Sequence, residues 1–309
     1  MFNTNDFLDA DGDGNTCEGS IVLTRTATDP GSENCPTAWL KWQVVIDIWG
    51  DGTDDLEYSS FLPAFDSQFN DTNGNGIPDV YLAPTASGDM VSIPSGKFIM
   101  GCIDENGNYC KEDEKHRREV KVNSFKIGKY EVTQEEWRAV MGIDPPELKN
   151  KECDRCPVEN VSWNDIQYFI EKLNQMTKKK YRLPTEAEWE FAARGGEKFR
   201  FAGSNDIDRV GWYSGNSRSD TYIVGAKVSN EYRLYDMSGN VWEWCQDIYH
   251  KSYEGAPIDG KSNELNGSNR VVRGGCSGSD AKYCRVSCRG NFSPEVYSKF
   301  IGFRLALSQ

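Results

Sequence analysis

The sequence predicts an α+β domain preceded by a small β-rich module. Two observations carry that prediction. Three helix starts with side-chain caps fall between Thr133 and Gly195, among short apolar stretches that read as strands. Composition also changes near residue 84: residues 1–88 are rich in Asp, Asn, Gly and Thr, and a strand restarts at Met90-Val91-Ser92-Ile93-Pro94. The expected organisation is a module at 1–88 and a larger domain at 89–309, with Pro84-Thr85-Ala86-Ser87-Gly88 as linker or turn.

In the module, Ile21–Arg25 and Trp39–Ile48 read as strands. Its Asp-rich loops have the spacing of calcium sites. Asp71, Asn73, Asn75 and Asp79 stand at positions 1, 3, 5 and 9 of one loop, with Gly76 at the sharp turn. Asp9, Asp11, Asp13 and Asn15 repeat the pattern, and Asp51–Asp55 echoes it more weakly. Alternate residues of a tight loop bring oxygens to one point, which suits a hard cation. The same residues also form ordinary solvated Asx turns.

The helices of the second part are read from their starts. Thr133-Gln134-Glu135-Glu136 is a capping box opening a helix through Trp137 and Val140. Ser162 caps the next, whose apolar residues Ile166, Phe169, Ile170, Leu173 and Met176 share one face. Thr185-Glu186-Ala187-Glu188 is another capping box, closed by Gly195. Beyond Gly195 the chain is mostly Gly/Ser/Asn-rich loop with isolated aromatic strands. Loops of that extent need a rigid scaffold and commonly carry binding function.

Bulk properties narrow the function. Asp and Glu total 48 against 35 Lys and Arg, a net charge of −13, which argues against nucleic acid as a partner. Ten cysteines point to an oxidising compartment. Cys17 with Cys35, Cys102 with Cys110, and Cys153 with Cys156 are the short-range pairs to expect. Cys153-Asp154-Arg155-Cys156 could also be half a zinc site, but nothing in sequence completes a tetrahedral set. No run of 18 apolar residues spans a membrane. The start has neither the basic nor the apolar stretch of a signal peptide, so an exported protein would begin here after processing or as a fragment. An extracellular or cell-surface location is expected.

Several stretches together resemble a known family. They are Ile93–Gly101, Tyr130–Thr133 with Trp137, Pro157–Trp163, Arg182–Glu190, Leu234–Trp244, Arg270–Gly275 and Gly302–Ala306. Their order is similar to that of the formylglycine-generating, or sulfatase-modifying factor, family. The resemblance implies a C-type-lectin-like fold. It also implies calcium held by Asp236, Gly239, Val241 and Glu243, through two carboxylates and two backbone carbonyls. The first part resembles repeat modules of bacterial cell-surface proteins through Thr24–Asp29, Trp39–Trp42 and Asn73–Asp79.

The family's enzymes carry two cysteines separated by four residues soon after Arg-Gly-Gly, which hold copper. This chain departs from that pattern. Cys276 and Cys284 are separated by seven residues, and Cys284 and Cys288 by three. Copper-dependent formylglycine formation using Cys276, Cys284 and Cys288 is therefore the alternative reading.

The preferred reading is a non-catalytic binding face between the frame residues Arg273-Gly274-Gly275, Arg285-Val286, Pro294 and Ile301–Ala306. Its candidates are Cys276, Ser277, Gly278, Ser279, Asp280, Tyr283, Cys288, Gly290, Asn291, Phe292, Val296, Tyr297, Ser298 and Phe300. Rigid aromatic anchors among small polar residues are the composition of adaptable binding surfaces. Every one of these residues can arise from an Asn codon by changing its adenines. That resembles the variable proteins of diversity-generating retroelements, whereas Lys282, Glu295 and Lys299 need another codon. A protein or glycan ligand is expected, also touching loops such as Trp212–Ser219. A purely structural surface component is the third reading, and a C-terminal strand pair with core aromatics is the plain one.

Overall fold

The computed structural model describes three N-terminal strands, then residues 89–102, 110–149 and 153–308. The chain divides into two compact units, Met1–Pro78 and Asp79–Gln309. In the first, β1 (Ile21–Ala27), β2 (Trp39–Ile46) and β3 (Leu56–Pro63) form an antiparallel sheet in that order. Ile21 pairs with Ile46 and Trp39 with Pro63. The sequence pattern does not mark β3 as a strand, because Ser59-Ser60 interrupts its apolar alternation. The loops Asp9–Asn15, Asp51–Asp55 and Asp71–Asp79, with Cys17 and Cys35, lie outside the described residues.

The second unit mixes short sheets with capped helices. β4 (Met90–Ile93), β7 (Phe125–Gly128), β13 (Ala306–Ser308) and β8 (Tyr181–Arg182) make one sheet in that spatial order. β5 (Gly96–Met100) pairs with β6 (Arg118–Val122). A third sheet has the order β11 (Arg289–Phe292), β10 (Arg270–Arg273), β9 (Trp242–Ile248), β12 (Ile301–Gly302). The chain's last strands thus enter two sheets, and residues 293–300 are the connection between β11 and β12.

All three expected helices form where their caps stand. Thr133 opens α1 (Gln134–Met141), Ser162 opens α2 (Trp163–Thr177) and Thr185 opens α3 (Glu186–Arg194), each with a reciprocal capping box. Each cap satisfies amide donors that the first turn leaves free, stabilising the helix by about 1 kcal/mol. Gly142 and Gly195 end α1 and α3 in the left-handed conformation. A further one-turn helix, α4 (Ile207–Val210), follows an Asp206 cap.

The apolar face of α2 buries Ile166, Phe169, Ile170 and Leu173. Phe169 stacks on Trp137 of α1 at 5.2 Å, and Phe303 meets both rings edge-on. Such pairs add about 0.5–1.5 kcal/mol beyond area burial. Trp189 turns inward from α3 and is fully buried, as its place in Arg182–Glu190 predicts. Cys102–Cys110 and Cys153–Cys156 are disulfides, so the second pair is no zinc half-site. Among the described residues, no helix is long and apolar enough to cross a membrane.

Candidate functional site

Buried arginines hold the frame of the C-terminal face. Arg273 reaches Glu186 at 2.9 Å and Glu190 at 2.6 Å. Arg289 grips the Glu186 carboxylate with two bonds, at 2.6 and 2.8 Å. Arg285 grips Glu114 in the same way, at 2.7 Å twice. Each guanidinium is desolvated, so its carboxylate partner is needed to keep the charge tolerable. Burial opposes ionisation of Glu186, yet Arg289 and Arg273 hold its carboxyl below the usual range. Arg273, Arg285 and Arg289 therefore bolt the start, middle and end of residues 273–289 to α3 and to Glu114.

Backbone contacts then tie the loops to this frame. The Ser217 hydroxyl donates to the Ser277 carbonyl at 2.6 Å, and the Ser214 amide to the Ser279 carbonyl at 3.0 Å. The Asn160 amide donates to the Ser298 carbonyl at 3.0 Å, and the Trp242 amide to the Phe300 carbonyl at 2.8 Å. The expected partner loop Trp212–Ser219 does adjoin the C-terminal segment. In it, Trp212 stacks on Tyr222 at 3.9 Å, with the Lys227 ammonium 4.0 Å from the Trp212 ring centre.

The candidate residues separate by exposure. Gly278, Asp280, Phe292 and Tyr297 are exposed, Tyr297 at 50%. Ser279, Tyr283, Gly290, Asn291, Val296, Ser298 and Phe300 are half-buried. Cys276, Ser277 and Cys288 are buried. Their place in the sequence pattern hid this, because burial here is set by loop packing rather than by strand alternation. The accessible aromatics differ in surroundings. The Tyr283 ring is faced by Lys111 and Lys282, at 4.6 and 5.0 Å. Phe292 meets Trp244 edge-on at 6.3 Å.

Among the described residues four cysteines are free, Cys245, Cys276, Cys284 and Cys288, and all are buried. Burial pushes the Cys284 thiol well up, and the neighbouring Cys276 and Cys288 add to the rise. Burial also raises Cys276 and Cys288. The thiol form, which is neither nucleophile nor good metal ligand, is favoured at all three. Among the described residues, no group of three or more His, Cys, Asp or Glu side chains is arranged to hold a metal ion.

A cation on the turn Asp236–Glu243 would therefore depend on backbone carbonyls. Gly239 is at φ +94°, and a β-carbon there would lie 2.1 Å from the Trp212 carbonyl oxygen, so only glycine fits. Asp236 is buried; its Oδ2 accepts from the Gly225 amide at 2.7 Å, and its Oδ1 has no hydrogen-bond partner. Glu243 is engaged by Arg304 at 2.6 and 2.7 Å and by the Trp189 indole at 2.7 Å. Glu131, missed as a site residue though it lies in the Tyr130–Thr133 motif, accepts from Asn240 Nδ2 at 2.6 Å. Burial, then the charges of Asp236 and Glu243, push the Glu131 carboxyl well up. Three buried carboxyl groups thus lie near one guanidinium, which bonds Glu243. The unpartnered Asp236 Oδ1 leaves one acceptor open to a calcium ion, whereas both Glu243 oxygens are engaged by Arg304.

Short sheets and capped helices carrying long, tethered loops define a domain of mixed helix and sheet. The chain belongs to the family of the sulfatase-modifying factor enzyme 1-like domain, whose model matches residues 80–309. It is 31% identical over 278 residues to the chaperone protein LppX of Paenibacillus barcinonensis, covering 73% of this chain and 91% of that protein. It is 28% identical over 288 residues to the formylglycine-generating enzyme of Thermomonospora curvata, covering 70% and 92%. Among solved structures it matches Treponema denticola variable protein 1 at a TM-score of 0.65 and 31% identity, over 71% of this chain and 95% of that one. The second unit therefore has the formylglycine-generating-enzyme fold that its motifs led us to expect.

Proposed function

We propose that this protein is a non-catalytic binding protein of the cell surface or extracellular space. It takes a protein or glycan ligand on the face built by residues 276–300. Variation of the retroelement type across that face would change the ligand. One observation carries the reading: half-buried and exposed small polar and aromatic side chains sit on a segment bolted down by Arg273, Arg285 and Arg289. A rigid frame with a changeable surface loses little order on binding, whichever side chains the surface carries. Likeness to a variable protein of the same fold supports it. Calcium would be structural, held by Asp236 and Glu243 with the Gly239 and Val241 carbonyls.

The departure from the enzymes' cysteine spacing and the raised thiol pKa values count against the copper-dependent oxidase. The test is capture of surface proteins and arrayed glycans by wild type and by Phe292→Ala, Tyr297→Ala and Tyr283→Ala. Capture that falls in the variants while the fold is kept supports the reading. Unchanged capture rejects this face. No capture by wild type supports a structural component. Stoichiometric Cu(I) uptake with turnover of a cysteine-containing sulfatase peptide replaces the reading with the oxidase.

A further inference from the structure

A cavity of about 240 Å³ opens where three loops meet, lined by Lys149, Glu159, Ser219, Asp220, Thr221 and Lys299. It is smaller than the roughly 300–1,000 Å³ of sites for drug-sized ligands, and suits one small head group. Glu159 is the unusual member. Its side chain is buried, with the residue 1% exposed, yet only half satisfied. Oε1 accepts the Lys149 amide at 2.8 Å, and Oε2 has no hydrogen-bond partner. A buried acceptor left unpaired costs about 1–3 kcal/mol, more when charged, so a bound donor would be favoured at this place.

The other walls are charged as well. Lys149 and Asp220 form an ion pair at 2.6 Å, with both side chains about half exposed. Lys299 lies 4.7 Å from the Phe300 ring centre and enters no ion pair among the described residues. Its backbone is held by the preceding carbonyl of Ser298, which accepts the Asn160 and Ile301 amides at 3.0 Å. The lining holds two cations, two carboxylates and two hydroxyls, without one apolar side chain. A ligand entering it gains most by bringing both signs of charge, and a sugar ring would find no aromatic face to stack on.

We propose that this cavity is a subsite for a small zwitterion of the α-amino-acid type, its ammonium donating to Glu159 Oε2 and its carboxylate meeting Lys299. The subsite goes beyond the aromatic surface and stands or falls separately from it. Lys299 is also one of the residues in the C-terminal segment that an Asn codon does not reach by adenine changes. Burial raises the Glu159 carboxyl, and an ammonium partner would offset that penalty.

The test is calorimetry and NMR titration of the full chain with L-alanine, acetate, methylamine and D-glucuronate. L-Alanine should bind saturably. Acetate and methylamine, each carrying half of the recognition, should bind more weakly by roughly tenfold or more, the cost of one charged hydrogen bond. Glu159→Gln and Lys299→Gln should each weaken L-alanine by a similar factor. Phe292→Ala and Tyr297→Ala should leave it unchanged. Should Glu159→Gln lose the fold, the surface variant Lys299→Gln decides. The proposal is overturned if L-alanine does not saturate and the cavity holds water alone. Preference for glucuronate, or indifference to Lys299→Gln, overturns it equally.

Discussion

The Phe300 ring packs on the bare backbone of Gly278: a β-carbon on residue 278 would stand 2.8 Å from the ring. Two positions far apart in sequence are therefore one unit of the surface. A side chain at 278 must displace the ring, whereas removing the ring makes room for it. We expect Gly278→Val and Phe300→Ala to be non-additive in a double-mutant cycle, coupled by about 0.5–3 kcal/mol. Urea denaturation of the four proteins measures it, and additive energies would mean that the ring swings clear without cost.

The buried Arg304 guanidinium is the cation facing Glu243, with its other donors on the Gly128 and Tyr235 carbonyls. Arg304→Met would leave the Glu243 carboxylate buried with its charge uncompensated, beside the carboxyls of Glu131 and Asp236. Removing one partner of a buried pair costs about 3–5 kcal/mol. Guanidinium denaturation in calcium-free buffer should show a loss of that size. A loss below about 1 kcal/mol would show that the pair is solvated.

Calcium at the Asp236 turn has its own signature. A ligand at 100 times its dissociation constant stabilises the folded state by about 2.7 kcal/mol. Melting of the full chain followed through β9 aromatic signals should shift upward with calcium. Asp236→Ala should remove that shift while leaving any response of the first unit. An equal shift in both proteins would place the ion elsewhere.

Stability should decline from mildly acidic to neutral pH. Asp247 accepts the Glu186 and Asn263 amides at 2.7 and 2.8 Å. Burial, then the Glu186 charge, raises its carboxyl from 3.8 to about 7. The folded state thus keeps a proton that the unfolded chain releases near pH 4. This contribution is complete below about pH 4 and lost as pH rises through 7, at no more than about 1.4 kcal/mol per unit. Glu186 is shifted the other way, so its contribution is lost as pH falls through its lowered value. Asp247→Asn should flatten the decline between pH 4 and 7. A slope unchanged by the substitution would assign the proton to another group.

The free thiols among the described residues should be chemically silent. Cys245, Cys276, Cys284 and Cys288 are buried with raised pKa values. Reaction with a disulfide reagent at pH 7 should wait for unfolding. Fast labelling of two of these four in the native protein, mapped by mass spectrometry, would revive the metal-thiolate reading.

Helix starts, the inward Trp189 and the family frame were legible in the sequence, because each depends on contacts within a few residues. Thr133, Ser162 and Thr185 cap their own next turn, so their neighbours in the chain are their partners in space. The motifs around Arg273, Arg285 and Arg304 marked the frame. Their mates Glu186, Glu114 and Glu243 are distant in sequence, and only the fold pairs them.

Exposure along residues 276–300 was decided by tertiary structure alone. Irregular loops have no period from which an inward or outward side can be read, so nothing local marked Cys276, Ser277 and Cys288 as buried. The Glu159 cavity was likewise invisible, since its walls come from three separate loops. The sequence by itself determined the caps, the family frame and the choice of residue types on the face. The tertiary structure decided which of those residues meet solvent, because burial and the pairing of distant charges arise only when remote segments pack together.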